Sequence, residues 1–207
     1  MKKLNLSFLA FGLLINSFAQ DGNKKLPSWG VHFLLNDFET AAAIRTDGLS
    51  SVITSNSWSK ISQMKSGLAL SYMEGLSNFL DLAATASGSF VNYPVPGKSS
   101  SGDSKFLLDV TAVVNLKLLT DKYTVSPYLS LGAGASKSGG YYGAFIPAGV
   151  GLQFNIANSG FLLINSQYRI PVTENVAYHL YYSIGFAGNI RKKKVAEPAP
   201  LPPPPKS

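Results

Sequence analysis

The chain has 207 residues, of which 45% are hydrophobic, 12% aromatic and only 14% charged, against about 25% charged in ordinary soluble domains. That composition excludes disorder, which needs low hydrophobicity and high charge. The absence of cysteine excludes disulfides, thiol nucleophiles, Cys-zinc sites and a lipid-modified N-terminal cysteine. The formal charge of +7 sits at the two ends: Lys2 and Lys3 at one, Arg191 to Lys194 and Lys206 at the other. Positive charge confined to the termini argues against nucleic-acid binding, which wants a basic folded surface.

The N-terminus reads as an address. Lys2 and Lys3 precede an apolar stretch from Leu4 to Ile15, and Ser17-Phe18-Ala19 supplies small residues where a signal peptidase reads. Residues 1–19 are therefore expected to be a secretory signal cleaved after Ala19. The stretch falls short of the roughly 20 residues of a spanning helix. A short segment, 20–28, leads into the body of the chain.

Residues 29–190 carry eight segments of alternating character, the period-two pattern of a strand with unlike faces. In chain order they are Trp29 to Leu35, Ser66 to Met73, Leu80 to Ser87, Phe106 to Lys117, Tyr128 to Gly134, Gly149 to Asn155, Leu162 to Ile170 and Leu180 to Ala187. The fourth is the cleanest: Phe106, Leu108, Val110, Ala112, Val114 and Leu116 alternate with Leu107, Asp109, Thr111, Val113, Asn115 and Lys117. Short connections (74–78, 118–124, 156–160) alternate with longer or more polar ones (36–63, 91–104, 137–143, 171–176). In the first long loop, Thr40-Ala41-Ala42-Ala43-Ile44 suits a short helix or a flap over the rim. An even strand count with short turns at one rim and longer loops at the other is the pattern of an outer-membrane β-barrel. The predicted fold is an eight-stranded antiparallel up-and-down barrel.

Whether the apolar face points out to lipid or in to a soluble core follows from the other face. It carries Gly, Ser, Thr, Asn, Gln and Ala with few charges, which suits a tight lumen better than bulk water. Aromatics cluster at segment ends: Trp29, Tyr72, Phe79, Tyr123, Phe154, Phe161 and Phe186 toward the short turns, Phe90, Tyr93, Phe106, Tyr141, Tyr142, Phe145, Tyr168 and Tyr178 toward the loops. Two girdles at the lipid–water boundaries account for them. A soluble lipocalin-like barrel is the alternative. Eight strands enclose an interior just wide enough for side chains to fill. Asp81, Asp109, Lys117 and Arg169, with Asn115, Gln153, Asn155, Asn165 and Gln167 around them, form the expected lumen network, because buried charges must find partners. A narrow pore is the sharper alternative.

Residues 191–207 form a basic, proline-rich tail, with prolines at 198, 200 and 202 to 205. Such a run prefers extended polyproline II and acts as a semi-rigid spacer, here on the periplasmic side. A proline-rich ligand is its alternative use, and contact with anionic lipid or cell-wall polymer the alternative for the basic run.

The signal, the eight segments, the run Val125-Ser126-Pro127-Tyr128-Leu129-Ser130-Leu131-Gly132-Ala133-Gly134-Ala135, the closing segment Tyr182-Ser183-Ile184-Gly185-Phe186-Ala187-Gly188-Asn189 and the proline-rich exit together resemble the barrel domain of OmpA-like outer-membrane proteins, over about residues 27–205. The resemblance implies a structural or anchoring protein in contact with outer-membrane lipid. Family members usually continue into a periplasmic peptidoglycan-binding domain, and this chain reaches Lys206-Ser207 without residues that would carry it. Peptidoglycan is thus a partner only through a domain not in this sequence, and the barrel is expected to be a monomer.

Chemistry is thinly represented. Gly97-Lys98-Ser99-Ser100 resembles the end of a phosphate-binding loop, but Asn92 stands where the earlier glycine belongs and a strand follows instead of a helix. The glycines of Gly132-Ala133-Gly134 read as close packing inside the barrel. His32 and His179 are the only histidines. A catalytic arrangement of His179 with Glu174 and Ser183 belongs to the idea of a lipid-modifying barrel enzyme, but their spacing does not bring three groups to one point. The expectation is no enzyme activity, no cofactor and no metal.

Overall fold

The computed structural model describes residues 24–94, 96, 103–156 and 160–190. The expected signal, the phosphate-loop-like Gly97-Lys98-Ser99-Ser100 and the tail lie outside these residues. Eight strands run in chain order: β1 (Ser28–Asp37), β2 (Lys65–Gly75), β3 (Leu80–Val91), β4 (Lys105–Lys117), β5 (Val125–Ser138), β6 (Tyr141–Ile156), β7 (Gly160–Pro171) and β8 (His179–Asn189). Each pairs antiparallel with its neighbour, and β8 pairs back onto β1 from Ser28↔Asn189 to Asp37↔Leu180. The barrel is closed, so no strand edge is left unpaired.

The strands exceed the alternating segments of the sequence, most visibly at β5 and β6. A longer loop was expected over residues 137–143. Instead β5 ends at Ser138 and β6 begins at Tyr141, joined through Gly139 and Gly140. Gly139 takes φ +58°, the left-handed conformation that two-residue hairpin loops demand and glycine supplies. The first long connection does contain helix: α1 (Phe38–Asp47) and α2 (Leu49–Thr54). The Asp37 carboxylate caps α1 by accepting from Thr40 N at 2.9 Å. Gly48, at φ 82°, ends it with its N–H on the Ile44 carbonyl. Helix α1 packs against β8, over the rim that carries the loops.

Alternation decides which side chains face out. In β4, Phe106, Leu108, Val110, Val114 and Leu116 are exposed, while Leu107, Asp109, Thr111, Val113, Asn115 and Lys117 are buried. The same outward face runs on through Val31 and Phe33, Leu68 and Leu70, Leu129 and Leu131, Val150 and Ile184. Each such side chain left in water forfeits roughly 1.5–3 kcal/mol. Some ten of them would outweigh the roughly 5–15 kcal/mol by which whole domains are stable. Hydrocarbon is the solvent that suits this wall, and a soluble barrel with its apolar face inward is the opposite of what is seen. Among the described residues no helix is long and apolar enough to cross a membrane, so any crossing is made by strands.

The aromatic girdles are thinner than expected. Trp29, Phe79, Tyr123 and Phe186 are exposed near the short turns, and Phe90, Phe106 and Tyr142 near the loops. Tyr93, Phe145 and Phe161 are instead buried. Cross-strand glycines explain how such rings fit inside. Phe145 pairs with Gly134, Tyr128 with Gly151, and His32 with Gly185. A β-carbon at any of these glycines would run into the ring opposite.

Candidate functional site: a layered lumen

The short-turn end of the lumen holds a cluster of charges. Lys117 Nζ lies 3.0 Å from Asp81 Oδ1 and 2.9 Å from Asp121 Oδ2. Lys25 reaches in from the segment before β1. Its ammonium donates to the Asp81 carboxylate and to Gln153 Oε1 and sits 5.1 Å from the centre of the Phe161 ring. Gln153 Nε2 in turn donates to Asp121 Oδ1 at 2.9 Å and Asn155 Oδ1 at 2.7 Å. Two lysines against two aspartates leave this layer neutral, the condition under which buried charges are tolerable.

An apolar layer follows, built from Met73, Val113, Tyr128, Phe161 and Leu163. Beyond it His32 Nε2 and Ser71 Oγ lie 2.7 Å apart, beside a cavity of about 40 Å³. Asn115, Asn165 and Gln167 line it, and Asn115 Oδ1 and Asn165 Oδ1 find no protein partner among the described residues. The space is large enough for water, which needs about 10–15 Å³.

The second charge layer lies toward the loops. The Arg169 guanidinium donates through Nη1 to Asp109 Oδ2, and both side chains are buried. It is held between two rings, 3.9 Å from the centroid of Tyr181 and 4.9 Å from that of Phe145. His179, fully buried, completes the layer, with Nδ1 3.0 Å from the Ala177 carbonyl and Nε2 3.3 Å from Arg169 Nη1. A carbonyl can only accept and a guanidinium can only donate. The proton therefore sits on Nδ1, and the imidazole is neutral. The lumen is then capped by Val91, Tyr93, Leu107 and Ala177, with Phe38 packed against them. Tyr93 Oη accepts from Ala177 N at 2.9 Å. Burial pushes this phenol up to about 12.

Of the nine residues of the expected network, Asp81, Asp109, Asn115, Lys117, Gln153, Gln167 and Arg169 are buried and Asn155 and Asn165 half-buried, but they do not form one network. Asp81, Lys117 and Gln153 belong to the short-turn layer, Asp109 and Arg169 to the loop layer, and Asn115 and Gln167 to the cavity between. Lys25 and Asp121 were missed. The four charges read from alternation already balanced, so nothing in the sequence signalled a third pair. His179 contacts Ala177 and Arg169, and neither Glu174 nor Ser183 appears among its hydrogen-bond partners. Among the described residues no group of three or more His, Asp or Glu side chains is placed to hold a metal ion.

A closed eight-strand meander with an apolar outer wall and a packed polar lumen has the fold of the small β-barrels of bacterial outer membranes. Among solved structures, the chain is similar to Neisserial surface protein A (NspA), at 12% identity with a TM-score of 0.52, covering 79% of this chain and 96% of that one. It is similar to the outer membrane protein OprG from Pseudomonas aeruginosa, at 12% identity with a TM-score of 0.50, covering 81% and 97%. The N-terminal β-barrel domain of OprF from the same organism matches at 12% identity with a TM-score of 0.47, covering 78% and 96%. No family model and no curated protein matches the chain. At these identities the likeness is one of fold, and the barrel fold implied by the OmpA-like resemblance is the fold found.

Proposed function

We propose that this chain is a structural protein of the bacterial outer membrane: a barrel anchored in the bilayer, presenting its loops outward and a proline-rich spacer inward, without enzyme activity. The observation that carries the reading is the pairing of an apolar outer wall with a filled lumen. Two apolar layers, at Met73–Tyr128–Phe161 and at Tyr93–Leu107–Phe38, lie across the path an ion would take. Each charged layer is neutral within itself, which suits a scaffold better than a conduit. The export signal, a contribution of the tail to cell-wall attachment, and monomeric state belong to this proposal. The test is fractionation of cells expressing the full chain, heat-modifiable mobility on a gel, and planar-bilayer recording. Outer-membrane recovery, a mobility shift and no steady conductance are expected. Recovery in the periplasm without a mobility shift would overturn the membrane reading, and a stable unitary conductance would overturn the sealed lumen.

The alternative of a lipid-modifying enzyme turns on His179. Its burial and its bond to a backbone carbonyl favour a packing role. Replacing it should leave lipid A chemistry unchanged.

A further inference from the structure

An apolar groove of about 540 Å³ crosses the outer wall of β5 to β8 and β1. Its sides are Phe33, Val150, Leu152, Ile164 and Ile184. The depression has a simple origin: on the outward face of β7, Ser166 pairs with Val150 on one side and Tyr182 on the other, and its small side chain leaves a gap between larger ones. The volume falls in the roughly 300–1,000 Å³ range of ligand sites. Two residues toward the loops along β7, about 7 Å further, stands Tyr168. Its ring lies 5.8 Å from that of Tyr178, and Arg45 from the last turn of α1 lies over Tyr178 at 4.6 Å. Arg45 is exposed, and among the described residues no carboxylate lies within ion-pair reach of it.

We propose that the groove and Arg45 together bind one phosphorylated acyl lipid of the outer leaflet, lipid A, with a chain in the groove and a phosphate on the guanidinium. The inference rests on the membrane reading above. The groove lies inside the belt that hydrocarbon covers, so an acyl chain is its natural filling. Helix α1 carries the cation over the rim to the lipid–water boundary, where phosphates lie. A guanidinium braced on an aromatic face presents its donors as a fork that fits a phosphate. A second copy of the barrel is the other occupant the groove could take, and the experiment below separates it from lipid.

The full mature chain is folded into detergent with equimolar lipid A, phosphatidylglycerol and phosphatidylcholine, and retained lipid is read by native mass spectrometry. One lipid A is expected to be retained in preference to the others. Arg45→Gln should lower its retention about tenfold, as loss of a charged hydrogen bond implies, and Arg45→Lys by less. Ser166→Phe, which fills the groove without touching charge, should also lower it. Equal retention of all three lipids, retention unaltered by Arg45→Gln and Ser166→Phe, or a dimer in place of bound lipid would overturn the proposal. Heat-modifiable mobility of every sample separates the two failures: wild type that never folds into detergent or bilayer sinks the membrane reading, whereas folded wild type without selective lipid sinks only this site.

Discussion

Asp109→Asn is the sharpest probe of how the lumen is held together. The substitution keeps size and an acceptor oxygen but removes the charge opposite Arg169, whose side chain is 1% exposed. The remaining neighbours cannot replace that charge. Tyr181 and Phe145 offer ring faces, His179 offers one neutral nitrogen, and among the described residues Arg169 Nε already lacks a hydrogen-bond partner. Breaking a buried pair from one side costs about 3–5 kcal/mol, between two and four decades in the folding equilibrium. Removing both charges with shape kept, as in Asp109→Leu with Arg169→Met, should recover most of that loss, because apolar replacements of buried pairs are often neutral. The assay is urea unfolding in lipid vesicles, followed by tryptophan fluorescence and gel mobility. A single variant within about 1 kcal/mol of wild type, the scale of an exposed pair, or a double variant as unstable as the single one, would refute the view that uncompensated charge is what the lumen cannot bear.

Lys25→Ala should destabilise by about 3 kcal/mol, because Lys117 alone then faces both Asp81 and Asp121 and one buried negative charge is left unbalanced, and adding Asp81→Asn should restore part of the loss in the same unfolding assay; equal instability of both variants would count against the ion pair. Val110→Lys, in the middle of the outward face of β4, should cost roughly 2–4 kcal/mol of insertion free energy, seen as a smaller heat-modifiable fraction in vesicles, whereas Lys at the rim in place of Phe106 should cost much less. Tyr93 stabilises the fold in its neutral form. An unfolded phenol ionises near pH 10 and the folded one at about 12. Its contribution is therefore complete below about pH 10 and lost as pH rises to about 12; Tyr93→Phe should flatten that part of the alkaline stability curve.

Local chemistry determined a good deal of this protein. Side-chain direction alternates with every residue because of the covalent geometry of an extended backbone, so the eight segments and their two faces are legible without any knowledge of contacts. So is the inward placement of Asp81, Asp109, Lys117 and Arg169. A helix in the first long connection follows equally from the alanine run at 41 to 43. The tertiary structure decided everything that depends on register and closure. Asp109 meets Arg169, 60 residues away, and Asp81 meets Lys25, 56 residues away, only because closure sets β4 across the lumen from β7 at one height and brings the segment before β1 to the start of β3. Phe145 turns inward because the register sets Gly134 across from it, an empty position no single segment reveals. Lys25 lies ahead of the first strand, where no alternation guides it, and finds its place only once the ring has closed and left an acidic hole at the mouth.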